Sequence, residues 1–538
     1  MTDIIITILA SGTIATAAIF VAGFGVLFRS IRYPSIDSIA LLAFSQAMTS
    51  LIRIDRNFLM VFEDDRTVYR HEKSVVFYSY NLTLNLLRLF SPDTRFRMAQ
   101  WLNLAFYLVF ASLVFLFFNA MFSNMGLEQP LLLAGFFTLA LGVQTKLLVT
   151  ATFIYSDILN YALFGITILQ ALHLQSNPSF LGALLFGSVI GLCFRNRQSD
   201  LILIIAGLLF LPLSGQLFAL PLACLIGFIA LNADTLYQQF VKGEPALDCL
   251  QGIMECNMPH CREGKGRTNL IEVVKAGLWQ VVNIPGGKSL FVSTGTSMFL
   301  FPLSILAIIA TGSFSPVLGY LLLCWLGFVA ALLLVRENAC DATAFFHLRQ
   351  AYILMIIMHL FNGLAFGLFV INGWTIPCGI YLAVYGANLG HQAYKIVRFH
   401  FADTIHEEGL HTHPKNPPEY SVVLRDYLVN LPKPAIIMGS HMAWGEIHNF
   451  FTWSDDLRAV DLETKVDDDT LVELIDRYSV THLALTPMSW YPIPGTTTIR
   501  SAELSPLLKS RLRPNKISED VTVFDVIRPE TDQAKDSI

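Results

Sequence analysis

Long apolar stretches separated by short polar breaks fill most of the first 400 positions of the chain. They run over residues 4–28, 101–122, 131–149, 158–174, 180–194, 201–213, 217–231, 298–311, 317–335, 352–371 and 376–397. A helix rising about 1.5 Å per residue crosses roughly 30 Å of hydrocarbon in about 20 residues, and most of these stretches reach or approach that length. The pattern predicts a mainly α, polytopic membrane domain of about eleven transmembrane helices over residues 1–400. Two long polar loops interrupt it, at 29–100 and 232–295. The first apolar stretch is too long for a cleaved signal peptide and lacks the Ala-x-Ala ending.

Past residue 400 the pattern changes. LRDYLVNL, DDDTLVELIDRYSV and LSPLLKSRL have helical spacing, while PAIIMGS, THLALTP and DVTVFDVI read as short strands. The alternation predicts a small soluble α/β domain over 417–538, joined to the membrane domain by a His- and Pro-rich linker at 401–416. No internal repeat is visible.

Composition agrees with the pattern: 54% of the 538 residues are hydrophobic and 14% charged, against about 25% charged in soluble proteins. A net charge of −5 speaks against nucleic acid as a partner. Cys193, Cys224, Cys324 and Cys378 fall in or beside apolar stretches, as small buried residues do. Cys249, Cys256, Cys261 and Cys340 fall in two loops that an odd span count puts on one face. There they are compatible with two disulfides in an oxidising compartment. The rival metal site in DCLQGIMECNMPHC has irregular spacing.

Three further motifs are weak. NIPGGKSLF has Val282 where a phosphate-binding loop needs Gly, HEEGLHTHP has Leu410 where the zinc pattern H-E-x-x-H needs His, and the Asn81 sequon lies close to the bilayer.

With an odd number of spans the two ends lie on opposite sides. The 29–100 loop, the Arg195/Arg197 turn, the cysteine loop and the C-terminal region then share one face. The connections SNMGLEQP and QSNPS on the other face hold no Lys or Arg, so the positive-inside rule alone assigns the charged face to the cytoplasm. Long loops escape that rule, and cations that bind a lipid phosphate stay on their working face. The loop cysteines favour the outside. The sequence leaves these two orientations in conflict.

SIDSIALLAFSQAMTSL followed by RTVYRHEKSVVFYSYNLTLNLLRLF resembles the first external loop of GT-C-type glycosyltransferases, membrane enzymes that take a sugar from a polyprenyl-phosphate carrier. Asp37 matches an Asp that opens a helix soon after the first span in one bacterial branch. VYRHEKS holds the place of a later conserved segment in degenerate form. FIYSDILNYALF resembles the family's fourth-span motif with Asp157 in place of Glu, and SVIGLCFRNRQSDLILIIAGLL resembles a following Arg-containing motif with Arg197 at the Arg and Gln198 where Pro is usual. The resemblance covers about the first 215 residues and the general architecture.

That resemblance implies an inverting glycosyltransferase with a polyprenyl-phosphate sugar donor and a glycan, glycolipid or protein hydroxyl as acceptor. It implies a bacterial inner membrane with the active site on the periplasmic or extracellular face. Such chemistry needs a carboxylate to take the acceptor's proton and cations to steady the departing phosphate. Asp37 is the candidate base, held ionised in the first turn of a helix. Asp157 and the run Glu63, Asp64, Asp65 are secondary acidic candidates, the run being also a possible ligand set for a divalent metal (Mg or Mn) or a solvated loop tip. Arg195, Arg197, Lys288, Arg53, Arg56 and Lys73 are the candidates for the lipid phosphate. The rivals are a transporter or flippase of a lipid-linked or anionic substrate, and a non-catalytic membrane assembly subunit. Against the former, no two related halves or Gly- or Pro-broken spans are evident.

Overall fold

In hydrocarbon a backbone must satisfy its own N–H and C=O groups, so apolar stretches of this kind fold as helices. A computed structural model of the chain describes residues 2–32, 48–50, 53–54, 58–61, 83–84, 86, 92–153, 155–197, 200–214, 218–241, 297–338, 351–405, 413–417, 419–440, 457–462, 468–485, 505–518 and 521–528. Each apolar stretch falls on a helix or a broken pair of helices. In chain order these are α1 (Thr2–Ser30), α2 (Pro92–Asn124), α3 (Pro130–Gly142), α4 (Thr145–Thr152), α5 (Asp157–Ser176), α6 (Phe180–Asn196), α7 (Leu201–Phe210), α8 (Ala219–Phe240), α9 (Ser297–Ala310), α10 (Pro316–Asn338), α11 (Ala351–Ile371) and α12 (Thr375–Phe401).

Among the described residues, four helices are long and apolar enough to cross a membrane: α1, α2, α5 and α11. The predicted single span at 131–149 is instead the pair α3 and α4, bent by 66° at a short break, and makes a fifth crossing if counted as one. That corrects the expectation of unbroken spans. The apolar portions of α6 to α10 are shorter, between 10 and 17 residues. In α12, Asn388 and Gln392 are buried, and His391, Lys395 and Arg398 dilute an otherwise apolar run. The prediction of about eleven spans therefore rests on the pattern, whereas length and composition in the structure support four or five.

The helices share one core, rich in aromatic rings. Phe118, Phe122 and Phe137 meet ring to ring at 5.5–6.3 Å, stacked between Phe118 and Phe122 and tilted in the other two pairs, and Tyr385 stands edge-on to Phe137 at 5.3 Å. The closest helix approach is between α6 and α8. A Cβ added at Gly187 would lie 1.9 Å from the Cys224 carbonyl oxygen, and one at Gly227 would lie 2.1 Å from that of Leu184. Small residues permit such contacts, and in lipid they are a main source of helix association. Cys193, Cys224, Cys324 and Cys378 are buried free thiols, as the sequence predicted.

Outside the helical domain a six-stranded sheet has the order β3-β7-β6-β8-β10-β9. Its strands are β3 (Phe58–Val61), β6 (Ala435–Ser440), β7 (Leu457–Leu462), β8 (His482–Leu485), β9 (Leu512–Lys516) and β10 (Thr522–Val526). The first four in spatial order run parallel, and β8, β10 and β9 are antiparallel. Parallel neighbours need crossovers, and α13 (Glu419–Val429), α14 (Asp468–Arg477) and α15 (Pro506–Arg511) lie between the strands in sequence. In α14, Leu471, Leu474 and Ile475 recur at helical spacing and are buried with Met438, Leu483 and Phe524. The stretch 417–538 encloses five of the six strands; the outer strand β3 comes from the first loop. Two small pairs complete the picture, β1 (Met48–Ser50) with β2 (Arg53–Ile54) and β4 (Thr404–Ile405) with β5 (His413–Pro414).

Candidate functional site

The break between α3 and α4 strips helical partners from backbone groups inside the protein, and each such group must find another. One face of α2, at 100, 103 and 107, supplies partners at the break and at the far end of α4. Tyr107 donates its hydroxyl to the Gly142 carbonyl. Asn103 donates to the Phe153 carbonyl at 2.9 Å, and Gln100 donates to those of Thr152 at 3.0 Å and Ile31 at 3.4 Å. From α12, the Gln392 side-chain oxygen accepts from the Thr145 amide at 3.0 Å and its hydroxyl at 2.9 Å. Arg97 donates to the Phe28 carbonyl and, at 2.7 Å, to the side-chain oxygen of Gln100. The last turn of α1, the start of α2 and the end of α4 are thereby tied together.

Five residues beyond the end of α4, Asp157 opens α5, at 1% exposure. It forms an ion pair with Arg197, the residue that caps the C-terminal end of α6. One turn along α5, Asn160 donates to the Asp200 carboxylate and accepts from the Asn196 amide at 3.2 Å. The Asn196 amide also donates to the Ser156 carbonyl at 3.0 Å. Asp200 stands just before α7 and is fully buried. Five side chains from the ends of three helices thus form one buried polar knot.

The electrostatics of the knot are uneven. Burial pushes the Asp200 carboxyl up to about 7, and the nearby Asp157 charge pushes the same way. The hydrogen bond from Asn160 and the Arg197 charge pull against it. Arg197 has five N–H donors, and its Nε is buried with no hydrogen-bond partner among the described residues. The guanidinium therefore keeps donor capacity for an anion while held by Asp157.

Of the sequence candidates, the structure brings Asp157 and Arg197 into contact. Arg195, two residues earlier, donates to the Leu231 carbonyl of α8 at 2.7 Å, which ties α6 to α8. Arg53 lies in β2. Asp37, Glu63, Asp64, Asp65, Arg56, Lys73 and Lys288 lie outside the described residues, as do Cys249, Cys256, Cys261 and Cys340. Sequence reasoning missed Asn160, Asn196 and Asp200. The signal for them was present in part, since Asn160 follows Asp157 by three positions and RNRQSD packs Asn196 and Asp200 around Arg197. Among the described residues no three His, Cys, Asp or Glu side chains gather as a metal site.

No family model matches the chain, and no curated protein matches it in sequence. Among solved structures, the fold is similar to the crystal structure of ArnT from Cupriavidus metallidurans bound to undecaprenyl phosphate, with a TM-score of 0.50 and 12% identity. The likeness covers 95% of this chain and 97% of that one, so the helical domain and the C-terminal sheet are compared together, and the chain shares that overall fold.

Proposed function

We propose that the chain is an inverting membrane glycosyltransferase of GT-C type that takes a monosaccharide from a polyprenyl-phosphate donor. The observation that carries this is the likeness, over nearly the whole length, to a protein whose structure holds undecaprenyl phosphate. The buried Asp157–Arg197 pair adds to it. It lies where two of the sequence motifs meet, and it offers an acidic group beside a cation with an unused donor.

In the proposed reaction Asp37 takes the proton of the acceptor hydroxyl. The hydroxyl oxygen attacks the anomeric carbon from the face opposite the carrier. The bond from that carbon to the phosphate oxygen breaks, its electron pair leaves with the polyprenyl phosphate, and the sugar's configuration inverts. Charge grows on the phosphate as this bond lengthens, and a fixed cation stabilises it more in the transition state than in the ground state. Arg197 is assigned that task, with Asp157 holding its plane. Arg53, Arg56, Lys73 and Lys288 are further candidates for the phosphate, and Arg195 positions α6 against α8. The acceptor is a hydroxyl of a glycan, glycolipid or protein, and the assigned location is a bacterial inner membrane with the site on its periplasmic or extracellular face.

One observation favours the transporter reading: the broken pair α3 and α4, because discontinuous helices build many transport sites. In those proteins the freed backbone groups line a cavity for the substrate. Here Tyr107 and Gln392 occupy the Gly142 carbonyl and the Thr145 amide on either side of the break, so the break is a packed joint. The test of the transferase reading is product stereochemistry from a donor of known anomeric configuration, read by NMR, with wild type and Asp37→Asn at matched abundance. Inverted product from the wild type and loss of product from the variant are expected. A retained configuration, or undiminished transfer by the variant, would refute the assigned mechanism.

A further inference from the structure

The first loop touches the C-terminal third of the chain at two separate points. At its start, the Arg32 amide donates to the Lys415 carbonyl at 2.8 Å. Lys415 is itself buried and tied on both sides. Its amide donates to the Asp403 carbonyl at 3.1 Å, and its ammonium donates to the His400 carbonyl in the last turn of α12 at 3.0 Å. A cation there meets a carbonyl that the helix leaves unpaired and complements the negative end of the helix. The second point is β3, which pairs in parallel with β7 in the register Phe58↔Ala459, Leu59↔Val460, Met60↔Asp461 and Val61↔Leu462. A bare strand edge invites foreign strands. Here the edge of β7 is covered by a segment about 400 positions away in the same chain.

Between these anchors lie residues 33–57, which in sequence include the candidate base Asp37 and the cations Arg53 and Arg56. We infer that Lys415 and the edge of the C-terminal sheet form a two-point clamp on the first loop, with Lys415 as a positioning residue. The C-terminal region then fixes the two ends of the segment that carries these residues in sequence, at Arg32 and at Phe58–Val61. This role rests on the transferase reading, but the contacts that build the clamp do not. Arg97 and Gln100 of α2 fix the Phe28 and Ile31 carbonyls, so the chain enters the clamped segment from a defined position.

The test has an arm that does not depend on activity. In the full-length protein in membranes, Leu59→Cys with Val460→Cys is treated with a short bis-maleimide and the link is mapped by mass spectrometry, which separates it from links to the native cysteines. A 59–460 link is expected; its absence overturns the clamp, whatever the activity. In the second arm, sugar transfer is measured at matched abundance for Leu59→Pro with Met60→Pro, which removes the ladder donors of β3, and for Lys415→Met and Lys415→Arg. A misplacement of about 1 Å at a reacting centre costs on the order of a hundredfold in rate. A fall of that order is expected for the proline pair and for Lys415→Met, with most of the rate kept by Lys415→Arg, which preserves the donor to His400. Wild-type transfer in both disrupted variants would overturn the positioning role even with the link in place. If the wild type transfers no sugar from any polyprenyl-phosphate donor, the transferase reading fails, and the link alone decides whether the clamp exists.

Discussion

Gly187→Ala and Gly227→Ala ask how closely α6 must approach α8. The new Cβ at 187 would sit 1.9 Å from the Cys224 carbonyl oxygen and 2.8 Å from its Cα, while real contacts essentially never fall below 3.0 Å. Because the obstacle is backbone, no rotamer change relieves it, and the helices must part by about 1 Å. Overpacking of this kind costs about 1–3 kcal/mol. Parting the helices also stretches the bonds from Arg195 to Leu231 at 2.7 Å and from Asn232 to Gly191 at 3.4 Å, and such bonds are worth about 0.6 kcal/mol each in a membrane protein. The sum is about 2–4 kcal/mol for either substitution. The control is Gly379→Ala on α12, where an added Cβ meets nothing within 4 Å. It should be neutral or stabilise slightly, by up to about 1 kcal/mol. Reversible unfolding by denaturing detergent in mixed micelles measures all three. If Gly187→Ala and Gly227→Ala unfold within about 0.5 kcal/mol of the control, α6 and α8 do not approach as described. Arg197 caps α6, so the destabilised variants should also lose sugar transfer.

Asp157→Asn leaves Arg197 without its counter-charge and should destabilise by about 3–5 kcal/mol. Asp157→Leu with Arg197→Met should recover much of that stability while remaining inactive, as chemical denaturation and transfer measured side by side would show. Asn103→Leu removes the hydrogen bond to the Phe153 carbonyl and should cost about 0.5–1.5 kcal/mol in the same unfolding measurement. For Asp200, the carboxyl in the folded protein titrates near 7, above its unfolded value of 3.8. The folded state therefore binds the extra proton between those limits, and stability falls as pH rises from about 4 to about 7, by at most on the order of 4 kcal/mol. Asp200→Asn should flatten that part of the curve of Tm against pH; an unchanged slope would remove Asp200 as its source.

Hydrophobic length made the helical domain legible, because a backbone in lipid has so few alternatives to helix. It concealed the joint between α3 and α4. The run 131–149 is apolar except for a few positions, and of these Gln144 sits at the break while Gly142 ends α3. The partners that cover the break, Tyr107 on α2 and Gln392 on α12, lie far away in sequence. Asp157 and Arg197 were legible because ionisable groups beside apolar spans are costly and need a reason. Their pairing was not, since they stand 40 positions apart. Asn160 and Asn196 carry no charge and drew no attention, yet they connect Asp157's helix to Asp200. The strand FLMV at 58–61 is four residues long and pairs with a segment near 460; no local pattern announces a partner so distant.

The central claim is tested most directly with the purified chain in liposomes, given a panel of polyprenyl-phosphate sugars and a mixed glycan and glycolipid acceptor pool, with Arg197→Gln beside the wild type. The account predicts transfer from at least one donor by the wild type and a loss of about 10²–10³-fold in the variant, the scale for removing one donor that stabilises a developing anion. Transfer by Arg197→Gln at the wild-type rate, or none from any donor by a folded wild type, would contradict it.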